Sequence, residues 1–231
     1  MVFVYELLWN NLCHHIYFGM VTLPEGKMST RKGRVVFLRD VIEEGIRRAE
    51  VAIQQKNPEL FAKEELRRKV AKQVAVGAII WSDLSKDMRR NIVFSWDEML
   101  SFEGNSAPYV QYAHARACSI LRKAENLGIQ LNEIKQAEVI IDPESKVEKA
   151  LIKKIAEFPT VVKSATRELH PHQIAIYALE LSQLFSQFYR DCPILKSEKK
   201  IRASRLKLTV ATAQVIRNAL YLLGIESPEI M

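Results

Sequence analysis

The stretch "SAPYVQYAHARACSILRKAENLG", residues 106–128, decides the fold class because it has every feature of one amphipathic helix. Pro108 suits the first helical turn, and Gly128 suits the position just beyond the last one. Between them, apolar and small side chains recur at spacings of three and four, which is typical of a helix with one buried face. The predicted buried stripe contains Val110, Ala113, Ala117, Ile120, Leu121 and Ala124. The stretch therefore predicts a helix that packs against other elements.

The segment that follows shows the same periodicity. "DPESKVEKALIKKIAEF", residues 142–158, predicts a helix with Asp142 as its N-cap and Ser145 and Glu148 at capping-box spacing. A separate and shorter helix is predicted over residues 160–168. The connection between this part and the helix before it is predicted to be residues 128–141.

Two further apolar stripes predict the last helices of the chain. The first contains Ile174, Tyr177, Ala178, Leu181, Leu184, Phe185, Phe188 and Tyr189. The second contains Leu206, Thr209, Ala213, Ile216, Leu220 and Leu223. Gly224 is predicted to end the last helix, and Pro228 supports that end.

The first hundred residues are predicted to mix short strands with helices. "HHIYFGMV" (14–21) and "RVVFL" (34–38) predict short strands around a Gly-rich loop, and "IVFSW" (92–96) predicts a third. Two helices are predicted between them, the second starting near Pro58 and ending near Trp81. The fold class is therefore mainly α: a small α/β piece over residues 1–38, a helical connector over residues 39–106, and an α-helical bundle over residues 107–231.

Charge and cysteine content limit the function classes. The net charge of +7 favours an anionic partner, which could be a nucleic acid, a nucleotide or a membrane surface. Cys13, Cys118 and Cys192 are far apart and form no CxxC pair, so we expect reduced thiols in a soluble cytoplasmic protein and no structural zinc. His114 and Cys118 have i, i+4 spacing, but we expect one at the surface and the other in the core. No apolar run approaches the roughly 20 residues of a membrane span.

The stretch "GKMSTRKGR", residues 26–34, has the composition of a mobile anion clamp. It is not a P-loop, because a P-loop has its lysine after the second glycine and a helix behind it, whereas here a strand is predicted. The side chains that could hold phosphate are Lys27, Ser29, Thr30, Arg31 and Lys32. Composition alone favours a solvated basic turn, or a Ser/Thr pair accessible to a kinase.

A second basic stretch, "LKSEKKIRASRLK", covers residues 195–207. Its cations are Lys196, Lys199, Lys200, Arg202, Arg205 and Lys207. They predict a basic ridge at a helix junction that contacts an RNA or DNA backbone, with a solvated linker as the alternative. Phe185, Phe188 and Tyr189 lie just upstream, where core packing is the default role of an aromatic side chain. One exposed ring could still stack on an unpaired base.

Four blocks of sequence resemble one family. "GMVTLPEGKMSTRKG" (19–33) resembles the KMSKS loop of class I aminoacyl-tRNA synthetases, in the form found in arginyl-tRNA synthetases. "SFEGNSAPYVQYAHARACSILRKAE" (101–125) resembles the segment leading into the anticodon-binding domain of that family, which is called DALR. "FSQFYRDCPIL" (185–195) and "SRLKLTVATAQVIRNALYLLGIESPEIM" (204–231) resemble the end of the same domain. The resemblance runs from about residue 13 to residue 231 and keeps the family order.

The resemblance implies an arginine–tRNA ligase whose KMSKS loop holds the triphosphate of magnesium-bound ATP, a substrate and not a tightly bound cofactor. Lys27 and Ser29 match the catalytic lysine and serine of the motif. Met28, Thr30 and Lys32 complete the implied nucleotide-binding set. Thr30 stands where many class I enzymes have a second lysine, and Lys32 is the candidate to supply that charge. No metal site is implied.

The resemblance also implies partners. These are tRNA(Arg), ATP and L-arginine in the intact enzyme and a separate N-terminal catalytic half, with no membrane. The implied tRNA contacts are Tyr189, Lys196, Lys199, Lys200, Arg202 and Arg205. Nothing in the sequence resembles the HIGH motif or the arginine pocket of the family, so the chain alone is expected not to activate arginine. The alternatives are a truncated product, one half of a split enzyme, a non-catalytic tRNA-binding module, a gene fragment, or a generic DNA-binding helical protein.

Overall fold

The computed structural model describes residues 15–24, 26–27, 37–56, 63–136, 138, 140 and 145–231. Its helices are α1 (Leu38–Lys56), α2 (Glu64–Leu84), α3 (Trp96–Met99), α4 (Ala107–Asn126), α5 (Leu131–Gln136), α6 (Lys146–Glu168), α7 (His172–Asp191) and α8 (Lys199–Leu222). Its strands are β1 (Val21–Leu23), β2 (Gly26–Lys27) and β3 (Ile92–Val93). The prediction of a mainly α chain with a small strand-containing piece is confirmed.

Helices α4, α6, α7 and α8 form the bundle around the larger core. Leu181, Phe185 and Phe188 of α7 are fully buried there with Leu206 and Ile216 of α8. The apolar stripes read from the sequence therefore face one another, as amphipathic helices require. Within the described residues, no helix is both long and apolar enough to span a membrane.

Helix α4 begins and ends as its sequence predicts. The hydroxyl of Ser106 accepts a hydrogen bond from the backbone N–H of Tyr109, and Pro108 lies in the first turn. Gly128 has φ 80°, a conformation in which glycine meets no Cβ clash. These local signals are confirmed because they depend only on neighbours along the chain.

The helical pair α1 and α2 forms a smaller core against α4. Ile53 of α1 and Val70 and Val74 of α2 are buried there with Ala115 of α4. Trp81 at the far end of α2 belongs to the bundle core instead. Helix α2 therefore takes part in both cores. The predicted division of the chain into three parts, at residues 38 and 106, stays a prediction.

The sheet is smaller than predicted. β1 is antiparallel to β2 and parallel to β3, in the order β2-β1-β3, with Val21 opposite Ile92. The expected strand over residues 92–96 ends at Val93, because Ser95 caps the short helix α3 and draws Trp96 into it. Of the expected strand over residues 34–38, the described part contains Leu38, which begins α1. The expected start of a helix at Pro58 lies outside the described residues.

Residues 142–168 also differ from the prediction of two helices. The structure has one helix, α6, which runs through Pro159. Proline costs a helix about 3 kcal/mol or more, because it lacks an N–H and crowds the preceding turn. Here α6 packs along α7 on both sides of the proline, with Leu151 and Ala165 buried. The observed N-cap is Ser145, and the predicted cap, Asp142, lies outside the described residues.

Candidate nucleic-acid interface

The Gly-rich loop is described only at its start. Gly26 has φ 116°, and the backbone of Lys27 pairs with Thr22 of β1. The side chain of Lys27 and the other predicted nucleotide-binding residues, Met28, Ser29, Thr30 and Lys32, lie outside the described residues. Their role in holding ATP therefore stays a prediction.

The basic ridge lies in the loop before α8 and in the first turn of that helix. Lys196, Lys199 and Lys200 are exposed, and Arg202 is half-buried. No acidic residue occupies the first turn of α8. Cations at a helix N-terminus oppose the helix dipole, which favours negative charge there. Because the exposed charge does not stabilise the helix, this surface suits an external anion such as phosphate.

Arg205 differs from its predicted role on this ridge. Its side chain is 9% exposed, and its Nε donates to Oε1 of Glu148 at 2.7 Å. Its Nη1 donates to the carbonyl oxygen of Pro193 at 2.8 Å and to the hydroxyl of Ser197 at 2.9 Å. Arg205 lies on the buried side of α8, where it joins α8 to α6. It is therefore not part of the predicted nucleic-acid interface.

Tyr189 is the exposed ring of the upstream aromatic group. Phe185 and Phe188 are buried in the core, whereas Tyr189 is 46% exposed at the end of α7. The guanidinium carbon of Arg116 lies 5.1 Å from the centroid of the Tyr189 ring and 4.6 Å from that of Tyr112. The three side chains therefore form one stack, with a cation between two aromatic rings.

This stack borders a cleft of about 220 Å³ between α4, the end of α7 and the last residues of the chain. Its lining includes Tyr112, Arg116, Ser119, Lys123, Tyr189 and Met231. Planar side chains, cations and hydroxyls around a small cleft are the groups that hold an unstacked base: rings stack on it and polar groups bind its edges. We name it the aromatic cleft.

The aromatic cleft contains residues that the sequence prediction did not include. Tyr112, Arg116, Ser119 and Lys123 are spaced by four, three and four residues, so they lie on one face of α4. That polar stripe beside the apolar one could have been recognised in the sequence. The approach of Tyr189 and Met231 could not, because these residues lie far from the stripe along the chain.

The loop from Cys192 to Glu198 leads from Tyr189 at the end of α7 to the basic ridge at the start of α8. The aromatic cleft and the basic ridge therefore lie on either side of one short loop. A stacking site beside a cationic surface is the arrangement found where proteins bind single-stranded nucleic acid.

His114 and Cys118 are both buried, which corrects the expectation that one lies at the surface. Burial lowers the pKa of His114 and raises the pKa of the Cys118 thiol. Both groups are therefore neutral near pH 7. Among the described residues, no group of three or more His, Cys, Asp or Glu side chains is arranged to hold a metal ion.

Two family models match the chain. Residues 110–231 match the DALR anticodon binding domain, and residues 4–96 match the catalytic domain of class I tRNA synthetases (R). An arginine–tRNA ligase from Pyrococcus furiosus is 45% identical over 221 residues, which cover 94% of this chain and 35% of the relative. One from Vibrio parahaemolyticus is 46% identical over 223 residues, covering 96% of this chain and 37% of the relative.

Solved structures give the same result. The arginyl-tRNA synthetase of Thermus thermophilus superposes with a TM-score of 0.80 at 33% identity, covering 94% of this chain and 35% of that one. The chain spans about a third of the length of the curated relatives it matches. The DALR model alone covers more than half of the chain. The chain therefore belongs to the arginyl-tRNA synthetase family, of which it carries the DALR anticodon-binding domain and a part of the class I catalytic domain.

Proposed function

We propose that this chain is the tRNA-binding part of an arginine–tRNA ligase and that the aromatic cleft receives an unpaired base of tRNA(Arg). The observation that carries the proposal is the stack of Arg116 between the Tyr112 and Tyr189 rings, in a cleft that Lys123 also lines. Proteins that bind unpaired bases combine stacking rings with cations in this way. The match to a domain described as anticodon binding supports the anticodon loop as the source of that base.

The two surfaces have different parts in binding. The basic ridge attracts the phosphate backbone, which gives affinity without sequence information and makes it dependent on salt. The aromatic cleft contacts one base, so it contributes where bases are unstacked and accessible. A duplex RNA without a loop should therefore bind to the ridge but gain nothing from the cleft.

The catalytic proposal rests on the match of residues 4–96 to the class I catalytic model. In the complete enzyme, Lys27 and Ser29 hold the triphosphate of magnesium-bound ATP while arginine is activated. Positive charge placed at the developing pyrophosphate stabilises the transition state, and such donors contribute about 10²–10³ in rate in other enzymes. L-arginine and tRNA(Arg) are the other substrates.

Replacing Lys199 and Lys200 with glutamine should flatten the salt dependence of tRNA(Arg) binding. Removing one phosphate contact lowers the slope of log K against log [salt] by about 0.7–0.9, so the pair should lower it by about 1.5. Fluorescence titrations of a labelled tRNA(Arg) transcript between 50 and 200 mM salt, about the range over which such contacts weaken, measure the slope.

Lys163 and Arg167 give the matched control, because their replacement by glutamine removes the same charge. Both are exposed on α6, about 22–28 Å along that helix from Glu148, which contacts the start of α8. The control pair should leave the slope unchanged. Equal slopes in the two double variants would remove the basic ridge from the interface.

The ligase proposal is tested by complementation. The chain alone should show no arginine-dependent ATP–pyrophosphate exchange, whereas mixing it with the separately produced N-terminal part of an arginine–tRNA ligase should give arginylation of tRNA(Arg). Lys27→Ala in the mixture should lower the rate about 10²–10³-fold. Retained tRNA binding without any complementation would favour the alternative, a non-catalytic tRNA-binding module. Arginine-dependent ATP–pyrophosphate exchange by the chain alone would contradict the expectation that it lacks the groups needed to activate arginine.

A further inference from the structure

The last residues of the chain form an extended segment that α4 holds in place. We name residues 225–231 the C-terminal strap. The chain leaves α8 at Gly224, whose φ is 73°, and then turns back along α4. The strap has neither helical nor strand structure. Its position depends on hydrogen bonds to its backbone and on the burial of Ile225 and Met231.

Three side chains of α4 donate to three carbonyl oxygens of the strap. Gln111 Nε2 donates to the carbonyl of residue 226 at 2.8 Å. His114 Nδ1 lies 3.0 Å from the carbonyl of Pro228, and Arg122 Nη1 donates to that of residue 229 at 3.1 Å. The strap is thus fastened along α4 up to the residue before Ile230.

The last two residues then reach the aromatic cleft. Ile230 and Met231 line the cleft together with Tyr112 and Tyr189. Met231 is buried and packs in the smaller core with Ala115 of α4. Ile230 and Met231 therefore form one wall of the cleft, and α4 sets its position through the strap.

His114 is the middle of the three donors along α4. It is fully buried, and a carbonyl oxygen can only accept, so its Nδ1 must carry the proton. Its Nε2 then faces the Sγ of Cys118 at 3.7 Å as an acceptor. The charged groups nearby are Arg217 of α8, which lowers its pKa, and Glu229 of the strap, which raises it. The contact with Pro228 is therefore made by a neutral ring in a single tautomer.

We propose that His114 is a positioning residue for the aromatic cleft: its contact with Pro228 seats the C-terminal strap so that Met231 completes the base-binding wall. The inference rests on the proposed function, since it gives the cleft a role in RNA binding. His114 touches no RNA. It acts on the loop base through the strap and has no effect on phosphate binding at the basic ridge.

The test compares His114→Leu with His114→Gln. Leucine fills the space without a donor, whereas the glutamine amide can donate to Pro228. A tRNA(Arg) transcript should bind the leucine variant about tenfold more weakly, within the range expected for losing one stacked base. The salt slope and the binding of a loop-free RNA duplex should not change. His114→Gln should recover most of the affinity.

The state of the strap is measured independently by carboxypeptidase digestion of the C-terminus. Release of Met231 should be faster in His114→Leu than in the unmodified protein, and near normal in His114→Gln. If the leucine variant does not fold, a chain ending at Glu229 keeps His114 and its partner and removes Ile230 and Met231, the residues that line the cleft. That truncation should show the same loss of tRNA(Arg) affinity with an unchanged salt slope.

The pH profile separates positioning from a general structural role. Burial lowers the pKa of His114 below the ordinary 6.5, although its hydrogen bond to Pro228 by itself favours the charged form. Protonation therefore places a poorly solvated charge beneath the strap. Seating is complete above pH 6.5 and weakens as the pH falls below that value. Affinity for the tRNA(Arg) transcript should fall in this range, and the fall should be absent in His114→Gln. His172→Gln, at the start of α7 away from the strap, should keep it.

The outcomes distinguish the two proposals. If Tyr189→Ala weakens binding of the tRNA(Arg) transcript while His114→Leu and the truncation do not, the cleft binds RNA and the positioning role is overturned. If Tyr189→Ala and the truncation both leave binding unchanged, the proposed function of the cleft fails first. Normal carboxypeptidase release of Met231 from a folded His114→Leu protein would also overturn the positioning role.

Discussion

Replacing Glu148 with alanine is expected to lower the free energy of unfolding by about 3–5 kcal/mol. The side chains of Glu148 and Arg205 are 2% and 9% exposed, and their closest atoms lie 2.7 Å apart. The substitution leaves the guanidinium in the interior with neutral acceptors, the Pro193 carbonyl and the Ser197 hydroxyl. Urea unfolding followed by circular dichroism measures the change. At about 2–4 °C per kcal/mol, the melting temperature should fall by about 6–20 °C.

The control is the double variant Glu148→Leu with Arg205→Met. Replacing both ions with apolar side chains of similar volume removes the unpaired charge, and such exchanges are often neutral or stabilising. The double variant should therefore be clearly more stable than Glu148→Ala. Glu44→Ala, which removes the partner of Arg47 and Arg48 at the surface, should have little effect. Equal losses in Glu44→Ala and Glu148→Ala would show that the inner pair does not lock α6 to α8.

Tyr189→Ala is expected to weaken binding of the tRNA(Arg) transcript by about 1–3 kcal/mol, or roughly 5- to 150-fold. The ring is half exposed and lies against Arg116, so its free surface is available to a base. Phenylalanine at the same position should retain most of the affinity, because it keeps the stacking face. A filter-binding titration at fixed salt measures the difference.

Tyr221 gives a matched control for that prediction. It is 80% exposed at the end of α8 and is not part of the aromatic cleft. Tyr221→Ala should leave the affinity unchanged. Arg116→Lys should weaken binding although it keeps the charge, because an ammonium group does not reproduce the planar stack of a guanidinium. Equal effects of Tyr189→Ala and Tyr221→Ala would exclude the cleft as the base site.

Local features were predictable from the sequence because their causes are local. Helix α4 follows from the apolar spacing and from caps within a few residues of its ends. The core positions of Phe185 and Phe188 follow from the stripe on α7. The family was also predictable, because four blocks in family order are specific, and both matched models confirm it. The nucleotide-binding role of Lys27 and Ser29 stays a prediction.

Charge along the chain did not predict which cations are outside. Lys199, Lys200 and Arg205 belong to one basic run, yet the first two are exposed and the third is buried. The difference depends on Glu148, which is 57 residues away along the chain. In the same way, α6 continues through Pro159 because it packs along α7 on both sides of the proline. Local propensity predicts a break there.

By itself, the sequence determined that the chain is mainly α, where helix α4 begins and ends, and which family it belongs to, because propensity, capping and motif identity depend on neighbouring residues. Only the tertiary structure decided what those helices bring together. It placed Arg205 inside with Glu148, and it joined Tyr112, Tyr189 and Met231 into one cleft. The physical reason is that burial and stacking depend on contacts between distant parts of the chain, which form only when the helices pack.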